Sequence, residues 1–257
     1  MNVKFVKIAL ITAGCSLILG CETAPSANNG SIYNETALAA RARSHTDLGA
    51  AYYQQGKLEI ALEEFSRAAE IDPTYAQSYN GLGLVYAALG EDAKADANFK
   101  KAIQAQPGNS ESHNNYGSFL CAHKRYDESI TQFLEAVKNP LYSTPNLAYA
   151  NAGICSARKN DTKSAEVYLN KALQIEPLTY SAAYQLAEIQ FKRGDATTAQ
   201  KTLQNALIGS PSPETLWLGI RLARVVGDKD AEASYALQLR QQYPNAEQTR
   251  LLLSGQK

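Results

Sequence analysis

Small and large apolar residues recur along the chain with a period close to 34 residues, and mostly polar stretches separate them. One recurring position holds glycine at separations of 34, 34 and 36 residues, and another holds alanine at separations of 34, 34, 36 and 34. A third position holds phenylalanine or leucine in the same phase. The three series are Gly49, Gly83, Gly117 and Gly153; Ala68, Ala102, Ala136, Ala172 and Ala206; and Phe65, Phe99, Phe133, Leu169 and Leu203. This repetition predicts a stack of similar helix pairs rather than one or two ordinary globular domains.

The recurring residues resemble the pattern of the tetratricopeptide repeat (TPR), a helix–turn–helix unit. In that pattern Gly83 and Ala95 lie where two antiparallel helices approach closely, Gly90 suits the turn, and Pro107 begins the connection to the next unit. One helix pair cannot bury its apolar face alone, so we predict an all-α fold, a right-handed superhelix of six TPRs. The predicted repeats are 42–75, 76–109, 110–145, 146–179, 180–213 and 214–246.

The sixth predicted repeat departs from the pattern, as a terminal capping repeat should. Trp217, Ala233 and Leu237 fit the TPR positions of this unit. Arg221 stands where the other repeats have a small residue. Residues 247–257 are predicted to form a C-terminal tail whose apolar residues pack on the last helix pair.

The amino terminus has the pattern of a bacterial lipoprotein signal. Two lysines precede a 13-residue apolar run, 8–20, which is shorter than the about 20 residues of a comfortable membrane span. The run ends at Gly20-Cys21 and resembles a lipobox, in which the cysteine becomes lipidated and amino-terminal after cleavage. We therefore predict that the signal peptide, residues 1–20, is removed and that Cys21 carries a covalent lipid.

The segment after the signal is predicted to be a flexible tether. Residues 21–33 begin with the lipidated cysteine and are otherwise small, polar and without periodicity. Glu22, rather than an aspartate, follows the cysteine, which favours the outer membrane of a Gram-negative bacterium, facing the periplasm. The TPR region then covers 34–246, with Asn34 as the cap of a first helix that begins early. The alternative to a lipoprotein signal is that residues 1–20 form an uncleaved anchor, or an ordinary signal peptide followed by a structural cysteine.

An irregular segment interrupts the third repeat. Its sequence, KNPLYSTPNL, contains Pro140 and Pro145 and adds two residues to the period. This loop and the sequence that follows it up to Cys155, together with the lipobox, the number of repeats and the length, resemble the PilF/PilW family. Members of that family are outer-membrane lipoproteins of type IV pilus biogenesis. The resemblance implies a pilotin-like role, in which the protein supports outer-membrane localisation or multimer assembly of the pilus secretin.

Composition and motifs narrow the class of function. The chain has 25 Lys plus Arg and 25 Asp plus Glu, and this balance argues against binding nucleic acid through a general positive field. No Ser–His–Asp order, Gly-rich phosphate loop or HExxH motif occurs in the sequence. We predict no enzyme, no small-molecule substrate and no cofactor apart from the lipid. The histidines, His45, His113 and His123, lack metal-binding spacing, which favours packing roles and no metal site.

Two cysteines, Cys121 and Cys155, are expected to remain beyond the lipid anchor in the mature chain. They fall in the first helices of adjacent repeats, and such helices pack side by side in TPR proteins. Because the periplasm is oxidising, we predict a disulfide between them. Two buried thiols are the alternative.

A TPR array has a concave surface, which the first helix of each repeat lines at positions 2, 5, 9, 12 and 13. Amide side chains there can pair with the backbone of an extended peptide, and Tyr53 and Leu84 are predicted to form an apolar pocket. Each position taken singly is better read as a solvated residue, but the open concavity as a whole favours binding. The candidate partner-binding residues are Arg43, Thr46, Ala50, Tyr53, Gln54, Gln77, Asn80, Leu84, Ala87, Glu111, Asn114 and Ser118.

The sequence as a whole predicts a lipid-anchored TPR protein that binds a pilus secretin subunit through the groove of repeats one to three. The alternative is a TPR lipoprotein scaffold for another envelope machine. Outer-membrane protein assembly and peptidoglycan-hydrolase recruitment are two such processes.

Overall fold

The computed structural model describes residues 37–255, which belong to a single compact unit. Every regular element in this range is helical, so the prediction of an all-α fold is confirmed. Six helix pairs follow one another along the described chain, and a shorter helix follows the last pair. The α-helices are α1 (Ala37–Gln54), α2 (Leu58–Ile71), α3 (Ala76–Ala88), α4 (Asp92–Ala105), α5 (Ser110–Ala122), α6 (Tyr126–Ala136), α7 (Pro145–Arg158), α8 (Thr162–Ile175), α9 (Tyr180–Lys192), α10 (Ala196–Leu203), α11 (Pro213–Val226), α12 (Lys229–Gln242) and α13 (Glu247–Leu253), and a 3₁₀ turn (Gln204–Leu207) follows α10.

Each of the first four pairs packs through a glycine of its first helix and a large apolar residue of its second helix. A Cβ atom built at Gly83 would lie 2.7 Å from the ring of Phe99, and one at Gly153 would lie 2.6 Å from the Leu169 side chain. A larger residue at either glycine would push the two helices apart. The recurring glycines are therefore a packing requirement of the helix pair.

The residues of the alanine and phenylalanine/leucine series form the interior of the array. The five alanines are at most 2% exposed, and the five large apolar residues are at most 3% exposed. Burying one such large side chain contributes about 1.5–3 kcal/mol. Because these positions belong to every pair from the first to the fifth, the core runs along the array rather than concentrating in one centre.

A residue in the left-handed conformation follows the first helix of each of the six pairs. Gly90 has φ of 75° at the turn between α3 and α4. Lys124 has φ of 62° at the corresponding turn between α5 and α6. A left-handed residue after the helix stops it and turns the chain back, and this is the place where glycine costs least.

The sixth repeat lies two residues earlier than the sequence pattern predicts. A Cβ at Gly219 would approach the Tyr235 ring to 3.0 Å, so Gly219, and not Arg221, is the small residue of this pair. Ala233 and Leu237, predicted to fit TPR positions, are exposed instead. The cause is α10, which has only 8 residues before the 3₁₀ turn. The tighter turn shortens the fifth repeat and shifts the phase of everything after it.

The carboxyl-terminal helix α13 contacts both α11 and α12. Its Leu252 packs against the buried cluster of Leu216, Ile220 and Leu239, which Trp217 also contacts. Leu252 of the predicted tail therefore covers the end of the last helix pair, whereas Leu253 is 69% exposed.

Candidate functional site

The first helices of successive pairs lie beside one another, since α1 contacts α3, α3 contacts α5 and α5 contacts α7. A cavity of about 200 Å³ opens among the first three of them. This volume is below the roughly 300–1,000 Å³ of sites for drug-sized ligands, and it suits one side chain of a larger partner. The cavity, called the repeat 1–3 cavity below, is lined by Thr46, Asp47, Ala50, Phe65, Tyr75, Gln77, Asn80, Gly81, Leu84 and Glu111.

The structure brings half of the predicted partner-binding residues to this cavity. They are Thr46, Ala50, Gln77, Asn80, Leu84 and Glu111. The other six do not line it; they are Arg43, Tyr53, Gln54, Ala87, Asn114 and Ser118. Positions 2, 5 and 9 of the repeats thus supply all six of these lining residues, because helical periodicity sets them on one side of each first helix.

The predicted apolar pocket of Tyr53 and Leu84 is wrong in one member. Leu84 lines the cavity, whereas Tyr53 does not line it and packs against the core cluster that contains Phe65 and Leu82. The apolar wall consists of Ala50, Phe65 and Leu84.

Four lining residues are absent from the predicted set. Phe65 belongs to α2 and Tyr75 to the connection before α3, so a pattern drawn from first helices does not find them. Asp47 directly follows the predicted Thr46. Gly81 has a sequence signal, because glycine inside a helix is unfavourable and indicates a close approach. A Cβ there would lie 2.3 Å from the Phe65 ring.

Asparagine side chains connect the first helices of repeats two, three and four. The Nδ2 atom of Asn115 donates to Oδ1 of Asn80 at 3.3 Å, joining α5 to α3. The Nδ2 atom of Asn151 donates to Oδ1 of Asn114 at 3.1 Å, joining α7 to α5. Each amide keeps further donors and acceptors, so the two pairs can both hold the helices together and bond to a peptide backbone.

A charged network joins α4, α5 and α6 within this part of the array. The Oδ1 atom of Asp96 accepts hydrogen bonds from the Tyr116 hydroxyl at 2.8 Å and from Nη1 of Arg125 at 2.6 Å. Lys100 lies 2.6 Å from the other carboxylate oxygen, and Arg125 also makes a two-point contact with Glu128. The network links the second repeat to the third through side chains that are only partly exposed.

The same network shifts two pKa values in opposite directions. Burial alone would raise the pKa of Asp96, but hydrogen bonds from Lys100, Arg125 and Tyr116 outweigh it and lower the pKa to about 2. Burial and the hydrogen bond to Asp96 raise the pKa of Tyr116 to about 12. The carboxylate is therefore charged and the phenol neutral throughout the physiological pH range.

Cys121 and Cys155 form a disulfide that joins α5 to α7, with their Cα atoms 5.9 Å apart. Both cysteines are buried, at 6% and 0% exposure. The bond covalently connects the third and fourth repeats, whose first helices the Asn114–Asn151 hydrogen bond also joins.

The histidines make local contacts within the array. Nδ1 of His45 lies 2.6 Å from Oε2 of Glu64, and His113 donates from Nε2 to the Pro107 carbonyl at 2.8 Å. The ring of His123 packs against that of Phe119 in a tilted arrangement, with centroids 4.2 Å apart. Across residues 37–255, no group of three or more His, Cys, Asp or Glu side chains is arranged to hold a metal ion.

Cys21, the predicted lipidation site, and Asn34, the predicted cap, lie outside the described residues. Among the helices of residues 37–255, none has both the length and the apolar character needed to cross a bilayer.

Comparison with known families identifies the repeats. The TPR repeat family matches residues 49–90. Tetratricopeptide repeat families match residues 76–109 and 148–177, 98–131, and 181–207. Each of the five repeats that share one phase in the sequence is matched over at least part of its length.

The chain is similar along most of its length to proteins of type IV pilus biogenesis. The chain is 31% identical over 247 residues to the type IV pilus assembly protein PilF of Pseudomonas aeruginosa, covering 96% of each chain. The solved structure of P. aeruginosa PilF matches with a TM-score of 0.77 at 30% identity, over 86% of this chain and 100% of that one.

A second solved structure comes from the same system. PilW, described as a widely conserved type IV pilus biogenesis factor, matches with a TM-score of 0.73 at 28% identity, over 82% of this chain and 98% of that one. The folds agree over nearly the full length of both solved proteins, and the fold class is that of a TPR superhelix. The chain belongs to the PilF/PilW family of type IV pilus biogenesis TPR proteins.

Proposed function

We propose that this protein is a lipoprotein of the outer membrane, facing the periplasm, whose TPR groove binds a subunit of the pilus secretin. Binding would promote outer-membrane localisation or multimer assembly of the secretin. The proposed role is recognition without catalysis, which the TPR matches along residues 49–207 support.

The observation that carries this proposal is the repeat 1–3 cavity on a chain of the PilF/PilW family. The cavity combines an apolar wall with the side-chain amides of Gln77 and Asn80. The asparagine pairs extend the row of amides toward α7. An extended segment can place its side chains against the wall while its backbone bonds to the amides.

The proposed mechanism combines anchoring with recognition. Acyl chains on Cys21 would confine the TPR domain to the membrane surface. A single acyl chain binds a membrane only marginally, so stable anchoring requires that the cysteine carry two or more. Confinement raises the effective concentration of the partner there without any new contact. The anchor and the groove therefore make separable contributions.

Secretin multimers provide the direct test. Secretin from cell envelopes is compared on blots, unheated and fully denatured, in the wild type, a Cys21→Ser strain and a Cys15→Ser strain. We expect the Cys21→Ser strain to lose multimers and mislocalise secretin. Cys15 lies in the signal that cleavage would remove, so the Cys15→Ser strain should match the wild type.

A strain that lacks the gene for this protein provides the test that can refute the proposed function. Normal secretin multimers together with normal pili in that strain would refute the proposal. Crosslinked pull-downs separate it from the alternative scaffold role. Capture of secretin supports the proposal, whereas capture of barrel-assembly or peptidoglycan-hydrolase components in its place supports the alternative.

A further inference from the structure

The repeat 1–3 cavity carries two carboxylates that form no ion pair within the described part of the chain. Asp47 and Glu111 line it, and no Lys, Arg or His does. Neither carboxylate has an ion-pair partner among residues 37–255, although Lys and Arg side chains form eleven ion pairs there with other carboxylates. Both residues are exposed and both line the cavity, so their carboxylates are accessible to a ligand that enters it.

The cavity also contains a buried hydroxyl that lacks a partner. Thr46 is 8% exposed, and its Oγ1 atom makes no hydrogen bond within the described residues. A buried polar atom left unpaired costs about 1–3 kcal/mol, and a ligand that donates a hydrogen bond would remove this cost. Thr46 precedes Asp47 on α1, so an unpaired oxygen and a free carboxylate line the same cavity.

The remaining lining residues set the shape of the ligand. Ala50, Phe65 and Leu84 form an apolar wall, and Gln77 and Asn80 provide amide oxygens. An ammonium or guanidinium group donates several hydrogen bonds and accepts none. Lys and Arg side chains bury an aliphatic stem against apolar surface and keep the charged head in a polar setting. The apolar wall therefore fits a Lys or Arg side chain better than a bare metal ion, because a metal ion would leave the wall uncovered.

We infer that the repeat 1–3 cavity is a specificity pocket for one cationic side chain, lysine or arginine, of the bound partner segment. The stem lies on the wall of Ala50, Phe65 and Leu84, and the charged head meets Asp47 and Glu111. The inference rests on the proposed function, because it assigns the residue chemistry of the segment that the groove receives.

A titration with matched small probes tests the pocket directly. The mature full chain, isotopically labelled, is titrated with Nα-acetyl-arginine amide and, separately, with Nα-acetyl-citrulline amide, its uncharged isostere. We expect the arginine probe alone to shift the backbone NMR signals of Asp47, Gly81 and Glu111 saturably. Equal shifts with the citrulline probe would overturn the inference.

Charge-neutralising variants identify the carboxylates responsible. The double variant Asp47→Asn/Glu111→Gln should bind the arginine probe about fivefold more weakly or worse, since two partly exposed ion pairs are lost. The control Asp230→Asn/Glu70→Gln removes two exposed carboxylates of α12 and α2 that form no ion pair in the described chain, and it should bind as the wild type does. An unchanged affinity in the double variant would overturn the inference. So would saturable shifts of the same signals by Ca²⁺ alone, because the pocket would then be a metal site.

The cellular phenotype separates this inference from the proposed function. If secretin multimers depend on the protein but the probe does not bind, the inference fails and the proposed function stands. If the probe binds and the double variant still supports normal multimers, the cavity does not serve the partner segment and the inference also fails. Loss of both probe binding and multimers in the double variant, with the control variant normal, is the expected result.

Discussion

At the scale of single residues, the packing inside each of the first four helix pairs depends on a glycine, which has no side chain to hold the two helices apart. The Cβ of a substituted Gly83 would lie 2.7 Å from Phe99, which is fully buried. We expect Gly83→Val to lower the free energy of unfolding by about 2–3 kcal/mol, because the Phe99 ring has no room to move. Urea denaturation measures the loss.

Gly108, at the end of the same repeat, is the control for this substitution. A Cβ at that position meets nothing within 4 Å. Gly108→Val should therefore change the free energy of unfolding by less than about 0.5 kcal/mol, as expected for a surface position. Equal losses at the two glycines would show that close packing against Phe99 is not the cause.

Asp96 gives the stability of the array a pH dependence. Its pKa is about 2 in the folded chain against 3.8 ordinarily, so the carboxylate stabilises the fold above pH 3.8, and the contribution is lost as the pH falls toward 2. Asp96→Asn should be less stable than the wild type at pH 6 by on the order of 1–2 kcal/mol. The difference should shrink between pH 4 and pH 2.5 in urea denaturation, and a difference that stays constant would contradict this account.

At the scale of helices, the packing contacts within a helix pair recur from repeat to repeat, whereas the segments that connect the pairs differ in length and conformation. Gly83 and Phe99 keep their spacing because one helix pair imposes both, so the sequence period alone predicts the core of the first five pairs. The phase of the sixth pair was not predictable in this way. It depends on the 3₁₀ turn after α10, and the residues of that turn carry no strong helix-breaking signal.

The lining residues of the repeat 1–3 cavity likewise divide into those that the sequence period predicts and those that it does not. Thr46 and Asn80 follow from helical periodicity within first helices. Phe65 and Tyr75 reach the cavity from a second helix and from a connection. Their participation depends on the angle at which neighbouring pairs stack, and that angle is set by the summed packing of many side chains rather than by any motif.

The disulfide between α5 and α7 is the element-scale feature with the largest expected effect on stability. It closes a loop with a sequence separation of 34 residues, and bonds of this kind typically contribute about 2–4 kcal/mol. We expect Cys121→Ala/Cys155→Ala to lower the free energy of unfolding by that amount, measured in urea without reductant. Adding dithiothreitol should destabilise the wild type and leave the double variant unchanged.

A thiol titration checks the bond itself. Denatured, unreduced mature protein should show no free thiol from Cys121 or Cys155. Detection of two free thiols, or equal stability of the wild type with and without reductant, would contradict the prediction.

At the scale of the whole array, each pair contacts mainly its neighbours, so stability is close to a sum of pair terms and interface terms. Interior pairs have a neighbour on both sides. The last pair, α11 and α12, has a full helix pair on one side and only the short helix α13 on the other. Opening of a repeat array is expected to start where an interface is weakest, and α13 therefore controls how readily this end opens.

Removal of α13 tests that control. A chain ending at residue 246 exposes the cluster of Leu216, Ile220 and Leu239, which Leu252 covers in the intact protein. We expect faster amide hydrogen exchange in α11 and α12, while α3 to α6 keep their protection because their neighbours are unchanged. A chain ending at Gly255 retains α13 and should exchange as the full chain does. If the shorter chain instead lost protection evenly from α3 to α12, the repeats would open as one cooperative unit, and the nearest-neighbour description of this array would be wrong.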